Sequence, residues 1–171
     1  VVDALDHRVP DLFERLVGEL SLERMHDARG RLARGVGHDV QLGSDLTNLY
    51  VEVADAAPKA LIVVTGYPLL FKPPADTDPN AEIIAGINLA TARLNCVIER
   101  AVATQPTEVN IRYVDVVAAF AEHGIGSTVP FIHNLPDPEA FHPNAAGYRV
   151  YADAIKAELP AGWLDKQNQL V

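Results

Sequence analysis

Ala60-Leu61-Ile62-Val63-Val64-Thr65-Gly66-Tyr67-Pro68 is the stretch on which the fold turns. Residues 60–64 run without a polar interruption, which is strand length and too short for an independent helix. A continuous rather than alternating apolar run marks a strand buried on both faces, as in a parallel sheet covered by helices. Gly66 and Pro68 terminate it. An α/β fold follows.

Upstream, Ala57-Pro58 closes a helix that Asp45 is placed to cap, with Leu46, Leu49, Tyr50 and Val53 on one face. Before it, residues 21–41 are rich in Arg, His and Gly and read as a short helix followed by a Gly-broken surface loop. Leu12, Phe13, Leu16, Val17 and Leu20, after Pro10, predict a further helix over 9–20. Residues 1–45 are therefore a helical and loop region ahead of the α/β portion, 46–160.

Downstream, a Pro-rich loop over 69–78 leads to Asp78-Pro79, an N-cap followed by Pro at the first helical position. A long helix follows, with Ile83, Ile84, Ile87, Leu94, Val97, Ile98 and Val102 in its apolar stripe. Residues 110–116 read as the second strand and run into a short helix through Phe120. A loop over 124–141 precedes the last helix, 145–159, which turns Val150, Ala154, Ile155 and Leu159 inward and stops at Pro160. The helix between the two strands is long enough for a right-handed parallel crossover. Two strands are too few for an independent parallel sheet, so 1–171 reads as a single but partial domain.

The 171 residues suit one domain with a sizeable core. Fourteen basic against 23 acidic residues give a formal charge of -9, which argues against a nucleic-acid partner. The lone Cys96 allows no internal disulfide and reads as a buried thiol. No apolar stretch reaches the roughly 18–20 residues of a transmembrane segment. Val1-Val2-Asp3 shows no signal-peptide pattern and reads as the start of a processed chain or a portion of a longer one.

The chemistry concentrates in Glu139-Ala140-Phe141-His142-Pro143-Asn144-Ala145-Ala146-Gly147-Tyr148. A carboxylate three residues before a histidine can meet it across one turn of a loop. Ester hydrolysis needs an imidazole that takes the serine proton and later protonates the leaving alkoxide, and a carboxylate that holds the imidazole's tautomer. His142 is the candidate base, Glu139 the candidate acid, and Asp137 the alternative acid. Pro143, lacking an N–H, can launch the last helix and leave His142 on its exposed rim. The bland alternative is that His142 packs against or caps that helix.

Three stretches resemble the carboxy-terminal part of the SGNH (GDSL-type) esterase/lipase family, especially its secreted actinobacterial members. They are residues 57–71, residues 88–102 followed by Tyr113-Val114-Asp115-Val116 and Phe120-Ala121-Glu122-His123-Gly124, and the block 139–148. The resemblance implies a flavodoxin-like three-layer α/β/α sandwich with a parallel sheet, of which this chain supplies the carboxy-terminal part. It implies a serine hydrolase of carboxylic esters that needs no metal or other cofactor, with His142 as base and Glu139 as triad acid. It also implies a secreted or cell-envelope location.

The family's nucleophile segment, Gly-Asp-Ser after an early strand, has no counterpart here, nor has its Gly-Asn-Asp block. Gly43-Ser44-Asp45-Leu46 has a changed order and no strand before it, so Ser44 reads better as helix-capping polarity. Ser127 lies in a late loop and Ser21 lacks a flanking Gly. The expectation is that the serine and the oxyanion donors belong to a second polypeptide or an amino-terminal fragment, in a processed or two-subunit enzyme. The rival is a non-catalytic scaffold that lost its nucleophile. Tyr67, Phe71 and Phe131 are candidates for a substrate-binding wall, with core packing as the alternative, and Asp115 is placed to cap or orient a loop. His26, His38, His123 and His133 show no metal-ligand cadence.

Overall fold

The computed structural model describes residues 28–134 and 136–163. The expected helix over 9–20 lies outside them. Among the described residues, two strands and three helices make a small α/β domain: α1 (Ala28–Ala56), β1 (Ile62–Thr65), α2 (Ala81–Ala103), β2 (Ile111–Val114) and α3 (Ala145–Glu158), with a 3-10 turn at Ala118–Phe120. The strands are parallel, in the register Ile62↔Ile111 through Thr65↔Val114, and α2 is their crossover.

The first correction concerns α1. The Gly-broken loop expected before residue 41 is, from Ala28 onward, one continuous helix of 29 residues that runs through four glycines. A helical Gly costs about 1 kcal/mol relative to Ala, but packing against α2 overrides that local preference. Gly43 faces Val97 of α2 across this contact. Asp45 is not a cap: inside the helix, it accepts a 2.9 Å hydrogen bond from Gln41 Nε2 one turn back.

Residue parity along the strands assigns the two layers. Val63 and Val114 point into the cluster of Leu70, Val116, Phe120, Ile125 and Ile132, closed by Val150, Tyr151 and Ala154 of α3. Val116 and Ile132 are sealed at 0% and 1% exposure. Tyr113 points the other way, towards Asn95 of α2, and its hydroxyl lies against Gly66, where a side chain would collide with it. Helices thus flank both faces of the sheet.

α2 carries two further corrections. Its N-cap is Asn80, not Asp78; Asp78 instead accepts the Asn80 amide at 2.8 Å in the turn before the helix. At 23 residues with a window of hydropathy 1.3, α2 is also long and apolar enough to cross a membrane, contrary to the sequence expectation. Its apolar stripe, centred on Leu94, Val97, Ile98 and Ala101, is nevertheless buried within the domain. Cys96, expected to be buried, is exposed beside that stripe.

The amides of Ile62 and Gly66 reach β2 at Asn110 O and Val114 O, 2.8 and 3.0 Å away. Strand alternation therefore turns the N–H and C=O groups of Val63 and Thr65 to the opposite edge of β1. No described strand pairs with that edge.

Candidate active site

The segment bearing His142 is held by a short antiparallel pairing. His133 N–H donates to His142 O at 2.9 Å, Phe141 N–H to His133 O at 2.9 Å, and Asn144 N–H to Phe131 O at 2.8 Å. Ile132 and Pro143 form the matching bridge. This pairing sets His142 opposite His133 and just before α3.

Pro143 does not launch the helix; Asn144 does. Its side-chain oxygen accepts from the amides of Ala146 and Gly147 at 2.9 and 3.1 Å, while its Nδ2 donates to Pro130 O at 2.8 Å. One side chain thus caps α3 and ties it to the loop, for the reason Asn is favoured there: its oxygen satisfies amides that the first turn leaves unpaired. A Cβ at Gly147 would collide with the Phe131 carbonyl, so the close approach of loop and helix requires glycine.

Immediately before His142, Phe141 has φ 71, in the left-handed region that a side chain of this size rarely adopts. Such a conformation costs on the order of 1–3 kcal/mol and persists only where the surroundings over-determine it. Here the two hydrogen bonds to His133 do so. His142 is exposed. Its ring makes no hydrogen bond to any described residue.

Both candidate carboxylates face the other histidine. Asp137 Oδ2 lies 2.9 Å from His133 Nδ1, and Glu139 Oε2 lies 3.5 Å from His133 Nε2. Asp137 spends its second oxygen on the Glu139 amide at 2.8 Å. That amide bond first, and His133 second, hold the Asp137 carboxyl below its usual 3.8. Glu139 and His142 meet only through the backbone, where His142 N–H donates to Glu139 O at 3.0 Å. His133 was not singled out by the sequence as a partner for either acid, although Asp137 stands four residues from it.

The three aromatic candidates separate. Phe71 is edge-on to Phe141, with ring centroids 6.3 Å apart, and so lies close to the His142 turn. Phe131 stacks on the His123 ring at 3.7 Å and meets Phe120 edge-on. Tyr67 joins a group with Tyr50, Tyr113 and Tyr151, whose phenols burial pushes up, to about 12 for Tyr50 and Tyr113. These phenols stay protonated at neutral pH. Asp115 takes its expected part, accepting the Val117 amide at 2.8 Å ahead of the 3-10 turn.

Ser44 is an exposed residue within α1, not on a strand-to-helix turn. Ser127 Oγ is buried and without a hydrogen-bond partner. Ser21 and His26 lie outside the described residues. No three His, Cys, Asp or Glu side chains among the described residues are grouped to hold a metal ion. A groove of about 660 Å³ between α1 and α2, lined by Val40, Leu89 and Cys96 among others, includes no residue of the His142 segment.

No family model matches the chain. Over 113 residues it is 32% identical to Lipase 1 of Streptomyces coelicolor, a match covering 64% of this chain and 41% of that protein. Over 110 residues it is 30% identical to a lipase of Streptomyces rimosus, covering 62% of this chain and 40% of the lipase. Among solved structures, the extracellular lipase of Streptomyces rimosus is similar with a TM-score of 0.68 and 25% identity, and phospholipase A1 of Streptomyces albidoflavus with 0.65 and 25%. Each likeness covers 86% of this chain and 64% of the solved one. The chain is similar to these lipases, and its match spans about two fifths of the length of the curated relatives.

Proposed function

We propose that this relative of the Streptomyces lipases carries the histidine-bearing, carboxy-terminal part of a serine ester hydrolase of the SGNH (GDSL) type, on a flavodoxin-like α/β/α sandwich. The observation that carries the proposal is His142 itself. It is an exposed imidazole on a strained, doubly anchored turn at the head of α3, in a chain whose fold follows a solved extracellular lipase over 86% of its length. Strain held in place by surrounding hydrogen bonds is characteristic of positions that must present one group accurately.

A serine on an amino-terminal segment or a second polypeptide attacks the ester carbonyl. His142 takes the serine proton, returns it to the leaving alkoxide, and then activates the water that cleaves the acyl-enzyme. Backbone amides of that same segment stabilise the oxyanion. The edge of β1 that no described strand pairs with supports the existence of further sheet beside it. The hydrolytic step uses no metal, and the enzyme works outside the cell or in its envelope.

Glu139 is the acid that orients His142. Asp137 has both oxygens engaged, whereas the Glu139 side chain is 72% exposed and tethered only by the 3.5 Å pair with His133. An exposed pair of that length is worth little and yields readily to a better partner. Phe71 and Phe141 meet edge-on at the turn that carries His142, and this apolar pair suits an ester with an apolar acyl chain.

Treatment of the natural protein with a fluorophosphonate, followed by denaturing intact-mass analysis, tests this. The expected result is one adduct on a serine outside residues 1–171, lost when His142 is replaced by Ala. An adduct on Ser21, Ser44 or Ser127 overturns the split site. A folded, unlabelled protein overturns the enzyme and leaves the non-catalytic scaffold.

A further inference from the structure

Two asparagines of α2 grip the loop after β1 in the same way. Asn95 accepts the Tyr67 amide at 2.8 Å and donates to the Tyr67 carbonyl at 2.7 Å. Asn88, seven residues earlier, accepts the Phe71 amide at 3.1 Å and donates to the Phe71 carbonyl at 2.9 Å. A seven-residue step is close to two helical turns, so both carboxamides stand on one face of α2. Each pairs with both polar groups of a single residue, as a neighbouring strand would.

The Asn95 clamp is buried and serves the core. The Asn88 clamp does something else. Phe71 already pairs with Ile125 on its other side, through Lys72 N–H to Ile125 O at 3.0 Å and Ile125 N–H to Leu70 O at 2.8 Å. Asn88 closes the remaining side and leaves the backbone of Phe71 no freedom. The ring so held is only partly buried, and the ring it meets edge-on, Phe141, is 37% exposed. Fixing a residue whose ring stays near the surface, against the residue preceding His142, is an arrangement for presenting an apolar face to a ligand.

We propose that Asn88 is a positioning residue that sets the acyl-chain selectivity of the site, by holding Phe71 against Phe141 as a fixed wall beside His142. This rests on the ester-hydrolase assignment above. A loosened wall loses contact with the far end of a long acyl chain and leaves the reacting carbonyl untouched. Long-chain esters therefore suffer through KM, and short ones much less.

The test compares p-nitrophenyl acetate with p-nitrophenyl octanoate on the natural full-length protein and its Asn88→Ala variant. The octanoate-to-acetate ratio of kcat/KM is expected to fall about tenfold, carried by KM. Nuclear Overhauser contacts between the Phe71 and Phe141 rings are expected to vanish in the same variant. Asn88→Asp keeps the acceptor for the Phe71 amide and loses the donor to its carbonyl, so its ratio falls between the two; it also stands in if the alanine variant does not fold. An equal loss of kcat/KM on both esters, or an unchanged ratio, overturns the inference while leaving the hydrolase intact. Persistent ring contacts overturn it without recourse to activity. A natural protein that cleaves neither ester overturns the hydrolase assignment itself.

Discussion

Asp137 and Glu139 differ by two positions and by everything that decides a catalytic role. Asp137 is bonded at both oxygens, to the Glu139 amide and to His133, and its depressed pKa records that engagement. Glu139 holds only an exposed 3.5 Å pair with His133. If Glu139 is the proposed acid, replacing it with Gln in the natural protein is expected to lower kcat for ester hydrolysis on the order of a hundredfold with little change in KM, because the imidazolium would lose its stabilising carboxylate. Asp137→Asn is expected to cost less than about tenfold, through the loop rather than the chemistry. Steady-state kinetics on one ester separates them, and the reverse ranking would assign the acid to Asp137. The spacing of Glu139, Asp137 and His142 identified the three groups, but it carried no information about His133. Which imidazole a carboxylate meets depends on how the loop folds back on itself.

At the scale of the element, α3 and its cap hold the site together. Asn144 satisfies two amides of the first turn and reaches Pro130 with its remaining donor. Asn144→Ala is expected to destabilise the fold by about 1–2 kcal/mol, towards the upper end of helix-cap effects because the tie to the loop goes with it. Urea unfolding monitored by circular dichroism measures this, and a cost near zero would show that the loop holds α3 without the cap. The last helix was legible from its apolar spacing and from Pro160 beyond it. Its start at Ala145 is the one the spacing gave, but the residue that launches it is Asn144 rather than Pro143, which is committed to the bridge with Ile132. For α1 the local signals misled: Gly30, Gly35 and Gly37 read as breaks, yet the helix runs unbroken through them and packs on α2 further along, at Asp39 and Gly43.

For the whole molecule, the edge of β1 that no described strand pairs with is the largest consequence of the fold. Val63 and Thr65 direct their amides away from β2, whereas Gly66 and Ile62 direct theirs towards it. In the isolated chain, hydrogen exchange is expected to be fast at Val63 and Thr65 and slow at Val64 and Gly66. In the natural protein, a further strand on that edge would slow the first pair to match the second; unchanged exchange there would mean that nothing pairs with β1. Taken alone, the sequence located the first strand, which runs Ile62–Thr65 and is partly buried rather than spanning 60–64 with both faces sealed, and the long amphipathic helices that cover it, and it singled out Glu139 and His142 as candidates, because apolar runs, helical spacing and short motifs are local properties. Only the tertiary structure decided that both carboxylates meet His133, that Phe141 adopts a left-handed conformation, and that Asn88 and Asn95 clamp a loop. Each of these rests on hydrogen bonds between residues brought together by packing, which no local pattern of side chains specifies.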